Sequence, residues 1–344
     1  MTVRYSPTAL GGAGIVREVA TGPNPYLPAP ARILRITELV EETRLFELRF
    51  EDPSLAAAFT FRPGQFVELS VLGVGEAPFS LPSSPTRKGT FELGIRRAGV
   101  LTGYLFDHVE EGDTVGIRGP LGNGFPIDRF DGSNIVLVAG GLGMVPLRGL
   151  LQFLVDRRDA FGRLVLVYGS RSPDRLLFRD ELERLARRGD AEILLTVDDP
   201  GELQWDGRKG YVTDLVGELE VDPSTTYAVA CGPPVFYKYL LEKLVDAGFG
   251  KDRIFLNLER RMECGIGKCG HCAVGYTFTC LHGPVFSYWD AINLPELIHE
   301  REMIIRSLES GSSASPAAPE TSSRSSTVRI DSSSCCAIST SLTG

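Results

Sequence analysis

The sequence predicts a multidomain chain of mixed α+β and α/β class: a small antiparallel β-barrel, a parallel α/β sheet, a small four-cysteine domain and a disordered tail. Three observations predict it. Short alternating runs broken by glycine and proline fill residues 31–130, near-continuous apolar runs alternate with helical stretches through residues 131–255, and four cysteines crowd into residues 256–308. At 344 residues and 43% hydrophobic side chains, the chain can fill two or three separate cores.

Residues 1–30 form an N-terminal extension with proline and glycine where a signal peptide has an apolar run. The barrel is read from ARILRITELV, TRLFELRF, QFVELSV, TFELGIRR and TVGIRG, whose close spacing suits antiparallel strands. After Asn134 the texture changes. NIVLVAGG, RLVLVYGS, AEILLTV and TYAVACGPP are strands apolar on both faces, and VPLRGLLQFLVDRR, DELERLARR and VFYKYLLEKLVDAG are the helices between them, the pattern of a parallel sheet covered on both sides. Residues 309–344 are Ser-rich without apolar periodicity and are expected to be disordered, which makes Cys335 and Cys336 free exposed thiols.

Charge narrows the partners. Lys plus Arg number 36 against 44 for Asp plus Glu, a net charge of −8 that disfavours nucleic acid and leaves small molecules or proteins. No run reaches the roughly 18 apolar residues of a membrane span. Seven cysteines, four of them clustered and none spread as an even framework, point to a reducing compartment and a cytoplasmic protein.

Cys264, Cys269, Cys272 and Cys280 have the spacing Cx4Cx2Cx7C, which matches a plant-type [2Fe-2S] ligand set better than the paired CxxC knuckles of structural zinc. Gly265, Gly267 and Gly270 would let the loop fold tightly and turn backbone N–H groups toward sulfur. His271 and His282 replace no cysteine in the set. Zinc is the alternative ion. A second motif, VAGGLGMVPL, puts Gly140, Gly141 and Gly143 between a strand and a helix, where bare N–H groups meet a pyrophosphate; alone, these glycines read more often as simple turn formers. Other strand ends carry Tyr168-Gly169-Ser170-Arg171, Asp198-Asp199 and Cys231-Gly232-Pro233-Pro234, and ligands of such sheets bind at strand ends. Arg171, Arg175 and Arg179 either bind a 2′-phosphate or are surface arginines, and the two aspartates suit a turn. Cys231 is small enough to sit by a nicotinamide, or is a buried strand-end residue.

In order along the chain, RPGQFVEL, APFSLPSSP, RGPLGNGFP, VAGGLGMVPL and CGPPVFY resemble the ferredoxin reductase superfamily from about Ala31 to Ala247. With CGIGKCGHC and GPVFSY added, the chain resembles the FAD- and NAD(P)-binding gamma subunits of cytoplasmic nickel–iron hydrogenases, also called sulfhydrogenases. The electron-transfer subunits of dihydroorotate dehydrogenase and sulfite reductase are similar in layout. The resemblance implies that Pro78, Phe79 and Ser80 fill the flavin motif, with Phe79 against the isoalloxazine and Ser80 near its N5. The arginine that usually grips the FAD pyrophosphate is replaced by Ala77. Arg96, or the backbone of Gly99, Val100, Leu101 and Thr102 at a helix start, would take the phosphates, although Arg96 and Arg97 also read as solvated strand residues.

The expected site is therefore catalytic Phe79, Ser80 and Cys231; a nucleotide loop at Gly140, Gly141, Gly143, Ser170, Arg171, Gly232 and Pro233; and four cysteine ligands. The expected activity is an NAD(P)H-dependent flavin oxidoreductase: NAD(P)H supplies electron pairs, FAD divides them, and a [2Fe-2S] cluster passes single electrons to the catalytic and iron–sulfur subunits of a larger redox complex. The cysteines should then fold back toward Phe79. The contrasting class is a non-catalytic NAD-binding module with a zinc site.

Overall fold

The computed structural model describes residues 24–294. The expectations for residues 309–344, for Cys335 and Cys336, and for most of the N-terminal extension lie outside the described residues.

The first domain is built on β1 (Ala29–Val40), β2 (Thr43–Phe50), β3 (Phe66–Val71), β4 (Gly75–Ser80), β5 (Phe91–Arg96) and β6 (Thr114–Leu121), with α1 (Pro53–Ala58) after β2 and α2 (Val100–His108) after β5. All ladders are antiparallel, in the order β4-β3-β6-β1-β2-β5. The antiparallel part of the expectation holds, and the ladders end at β4 and β5 without joining into a ring. Inward residues such as Phe46, Leu48, Leu69, Phe91, Leu93 and Ile95 form one apolar core. β4 has no alternating pattern in the sequence. It is an edge strand, where Gly75 and Pro78 cost little because one side of the backbone needs no ladder partner.

The second sheet has β7 (Asn134–Gly140), β8 (Leu164–Ser170), β9 (Glu192–Val197), β10 (Arg208–Lys209), β11 (Thr226–Cys231) and β12 (Ile254–Asn257), with α3 (Met144–Asp156), α4 (Arg179–Arg188), α5 (Val212–Gly217) and α6 (Pro234–Asp246) between them. These six strands are parallel. The apolar runs are continuous because both faces are buried. Ile135, Leu137 and Ala139 of β7 enter the core shared with α3 and α4, while Val136 and Val138 enter the one shared with α5 and α6.

The cysteine segment carries a hairpin of β13 (Ala273–Val274) and β14 (Thr277–Phe278), then α7 (Thr279–His282), β15 (Val285–Ser287) and α8 (Tyr288–Ile292). Strand β15 adds to the second sheet as a seventh, antiparallel strand beside β12, so the segment leaves and returns to the same edge.

The two sheets are joined through α3. Arg148 is buried and donates to the Pro82 carbonyl at 3.1 Å and to Glu92 at 2.5 Å on the first domain, and to Glu181 of α4 at 2.9 Å. A side chain at Gly149 would meet the Leu81 carbonyl at 2.6 Å, and one at Gly94 would strike Val145 at 2.7 Å. Each glycine is the price of that close approach.

Candidate functional site

Pro78, Phe79 and Ser80 end the edge strand β4, and in the ladder Ser80 stands opposite Phe66, Phe79 opposite Val67 and Pro78 opposite Glu68. All three are half-buried, so each keeps a face that a ligand can cover. Phe79 also packs on the first core, so its plainer role as core filling is real as well. The next strand ends at Arg96, which is exposed, and the chain turns into α2 at Gly99. Arg97 is committed to Asp107 by two bonds of 2.6 and 2.8 Å. Thr102 Oγ1 accepts the Ala98 and Gly99 N–H groups at 2.8 and 2.9 Å. Helix geometry leaves the N–H groups of Val100, Leu101 and Thr102 without intrahelical partners at an exposed positive end. The fit to a pyrophosphate thus rests on three N–H groups and Arg96, with Gly99 serving as the hinge into the helix.

At the second sheet Gly140, Ser170, Val197 and Cys231 end β7, β8, β9 and β11 on one side, the side on which parallel sheets bind ligands. Gly141 has φ +53°, a left-handed value suited to glycine. Gly143 is needed for another reason: a Cβ there would lie 2.1 Å from the Cys231 carbonyl oxygen, so the start of α3 rides directly on the end of β11. Gly232 is likewise pinned under Phe236, and exposed Pro233 caps α6. The arginines separate. Arg175 pairs with Glu41 at 2.6 Å and Arg179 with Glu183 at 2.8 Å, whereas Arg171, exposed beyond buried Ser170, lies in the field of Asp198. Asp199 does form a turn, accepting from Gly201, and pairs with Lys209.

Cys231 is 1% exposed, and burial, with the Glu259 charge second, pushes its thiol above the ordinary range, so it stays protonated. Tyr237 donates to the Asn257 carbonyl at 2.5 Å and accepts from the Gly232 N–H at 3.3 Å, bracing the Cys231-Gly232 turn. Glu259, on the rim, is raised by desolvation and pulled back by Arg96. Glu259 thus lies in the electrostatic reach of both Arg96 at the end of β5 and Cys231 at the end of β11.

The four cysteines lie close enough to influence one another: Cys269 feels Cys264, and Cys280 feels both Cys272 and Cys264. Among the described residues no three His, Cys, Asp or Glu side chains close on a single point. Four sulfurs in the spacing Cx4Cx2Cx7C suit two irons better than one tetrahedral ion. Gly267 N–H points at Cys280 Sγ (3.1 Å) and Lys268 N–H at Cys264 Sγ (3.3 Å), the donors a charged sulfur core needs. Gly265 and Gly267 both have φ +69°, as the loop required. Hydrogen bonds from the backbone at His271 and Cys264 hold the Cys269 thiol below its usual value, while burial pushes Cys280 up to about 12. His282 Nδ1 accepts from Phe278 N–H and His271 is exposed.

The cysteine segment does fold back on the first domain. Cys272 and Cys280 are buried against Phe66, with Leu121, Met262 and Phe278 around them, and Phe66 is the ladder partner of Ser80. Asn123 holds the contact: its Nδ2 donates to the carbonyls of His282 (2.8 Å) and Val285 (2.7 Å), its Oδ1 accepts the Val285 N–H (3.2 Å), and its own N–H donates to Gly283 (2.7 Å). Arg118 of β6 reaches the Cys264 carbonyl at 3.1 Å and binds Glu76 of β4 at 2.7 and 2.9 Å. Glu68 lies between these groups, fully buried with neither carboxylate oxygen hydrogen-bonded. Its desolvation, with the Glu76 charge second, pushes its pKa up to about 8. Sequence reasoning missed Asn123, Arg118, Glu68 and Glu259, although the first three lie inside the motifs RGPLGNGFP and RPGQFVEL.

Comparison with known proteins agrees with this layout. Residues 30–125 match the oxidoreductase FAD-binding domain, 137–241 the oxidoreductase NAD-binding domain, and 259–291 the iron–sulfur cluster binding domain of dihydroorotate dehydrogenase B. The chain is thus a flavin- and nicotinamide-binding oxidoreductase of ferredoxin reductase-like domains with an iron–sulfur domain at its C-terminal side. It is 44% identical to the sulfhydrogenase 2 gamma subunit of Pyrococcus furiosus over 290 residues, covering 80% of this chain and 100% of the relative. It is 33% identical to the probable dihydroorotate dehydrogenase B electron transfer subunit of the same organism, covering 74% and 91%. A solved structure of an NADH-dependent reduced ferredoxin-NADP oxidoreductase superposes with a TM-score of 0.62 at 26% identity, covering 84% of this chain and 99% of that one. The chain belongs to the sulfhydrogenase gamma subunit family. No helix among the described residues is long and apolar enough to cross a membrane.

Proposed function

We propose that this chain is the electron-entry subunit of a cytoplasmic nickel–iron hydrogenase, working as an NAD(P)H-dependent diaphorase. FAD, when bound, takes a hydride from NAD(P)H and releases the electrons singly to the [2Fe-2S] cluster, which is the chemistry those groups supply. The chain's residues supply position and insulation. Phe79 offers a ring face and Ser80 a hydroxyl at the flavin's reacting edge, while Arg96 and the first turn of α2 hold the phosphates in place of the arginine that Ala77 replaces. Gly140, Gly141 and Gly143 carry the nucleotide's pyrophosphate, Arg171 lies where a 2′-phosphate would bind, and the turn of Cys231, Gly232 and Pro233 floors the nicotinamide. Cys231, as a neutral thiol, adds no charge that would repel a departing hydride. Cys264, Cys269, Cys272 and Cys280 are the cluster ligands.

The observation that carries this reading is the short structural path from Ser80 through its ladder partner Phe66 to Cys272 and Cys280. A nucleotide sensor with a structural zinc needs no such adjacency. The hydrogenase partner is supported by the 44% relative, and a dihydroorotate dehydrogenase role by a more distant one. The test is anaerobic purification of the chain with its partners: flavin absorption, a rhombic EPR signal on reduction and viologen reduction by NAD(P)H are expected. Colourless protein with one zinc per chain would refute the reading. Co-purification of a nickel–iron large subunit would fix the partner.

A further inference from the structure

Arg118 has a place that neither sheet requires. It is 5% exposed, it lies on β6, and its guanidinium hydrogen-bonds to three separate segments. Nε and Nη2 grip the two oxygens of Glu76, a residue of the strand that ends in Phe79 and Ser80. Nη1 donates to the Pro25 carbonyl at 3.0 Å, so the chain entering β1 covers the group, and to the Cys264 carbonyl at 3.1 Å. On its other side stands Glu68, opposite it in the β3–β6 ladder. A side chain at Gly265 would lie 3.1 Å from Glu68 Oε1, so the first turn of the cysteine loop is laid against this pair. Only a planar fork bonds a carboxylate with one edge and two carbonyls with the other, so lysine cannot replace it.

We propose that Arg118 is a positioning residue that ties the cysteine loop to the flavin-bearing strand and, as a buried cation at the backbone of the first ligand, biases the cluster toward its reduced form. The inference rests on the electron-transfer reading above. Reduction adds one negative charge to the sulfur core. A cation screened from water by Pro25 and the loop attracts that added charge more than an exposed arginine would. Glu76 opposes this attraction because it faces the same guanidinium. The two residues should therefore move the cluster in opposite directions.

The experiment is an EPR-monitored redox titration of the full chain with its cluster, alongside Arg118→Gln, Arg118→Lys and Glu76→Gln. At the poise where the unaltered protein is half reduced, Arg118→Gln is expected to lower the reduced-to-oxidised ratio about tenfold, the scale of one charge roughly 12 Å away at an effective dielectric near 20. Glu76→Gln is expected to raise it. Arg118→Lys should hold the ratio within about threefold yet slow the single-turnover transfer from flavin to cluster, since charge is kept and the fork is lost. A ratio unchanged in both Arg118→Gln and Glu76→Gln, or moved the same way by both, overturns the proposal. If Arg118→Gln does not fold, the direction seen in Glu76→Gln decides alone, and an unchanged or lowered ratio overturns it. Unaltered protein without any EPR-active cluster would defeat the parent reading, a result distinct from a cluster whose poise ignores these substitutions.

Discussion

Replacing Glu68 with Gln removes the one fully buried carboxyl between the two redox sites while keeping its shape. The ordinary carboxyl value is 4.5, and burial raises it here to about 8. A group whose folded pKa is raised binds its proton more tightly in the native state. Its contribution is present in full below about pH 4.5 and is lost as pH rises through about 8. That interval, at about 1.4 kcal/mol per pH unit, sets a ceiling of about 5 kcal/mol on the stability lost. Both oxygens lack hydrogen bonds, so no partner offsets the charge once it forms, apart from the field of Arg118. A bound cluster is anionic and shifts the group in the same direction. Urea unfolding followed by the fluorescence of Trp205 and Trp289, between pH 5 and pH 9, checks this. Glu68→Gln should match the unaltered protein near pH 5 and gain on it steadily until about pH 8, then level off. A stability difference that stays constant across this range refutes the reasoning.

Asn123→Ala removes three side-chain hydrogen bonds to the cysteine segment and should cost about 1–3 kcal/mol. In stopped-flow single turnovers it should slow cluster reduction while flavin reduction by NAD(P)H stays near its normal rate. Gly143→Ala forces α3 away from the Cys231 carbonyl and should raise the KM for NAD(P)H at least about tenfold, since about 1.4 kcal/mol of lost positioning suffices; an unchanged KM contradicts the close approach. Arg171→Ala should raise the KM for NADPH about tenfold and that for NADH less than about twofold, because one phosphate contact to a guanidinium is lost. Equal effects on both cofactors would remove Arg171 from 2′-phosphate recognition. Cys272→Ser should abolish the EPR signal and spare the flavin spectrum; a surviving signal would disprove the ligand set.

Strands β7, β8, β9 and β11 and helices α3, α4 and α6 were legible because both faces of β7 and β8 are buried, which prints a continuous apolar run on the sequence, whereas β10, β12 and α5 are too short to be read. The iron–sulfur domain was legible from the cysteine spacing, and Gly265, Gly267 and Gly270 adopt the positive φ that a tight loop requires. Strand β4 was hidden because an edge position tolerates Gly75 and Pro78 and so never shows alternation. Strand β15, three residues long, is too short to carry a period. The contacts that assemble the site were illegible for a different reason: Asn123 meets Val285 and Arg118 meets Cys264 across more than a hundred residues, and such pairings leave no local pattern. Nothing local marks Glu68 as buried; the cysteine loop is laid against it, so that a Cβ at Gly265 would lie 3.1 Å from its Oε1.

The return of the chain to the second sheet through β15 makes the cysteine segment, topologically, the oversized loop of a β-hairpin. Its stem is the ladder joining Phe255 to Ser287, Leu256 to Phe286 and Asn257 to Val285. A loop clamped at both ends on one sheet edge cannot swing like a domain on a single linker, so any motion of the nucleotide domain carries the cysteines with it. The same stem makes the segment graftable: a short turn in place of residues 258–284 would leave a sheet with its seventh strand still paired. The four-cysteine segment is thus held at one edge of the second sheet, locked in register by three residue pairs.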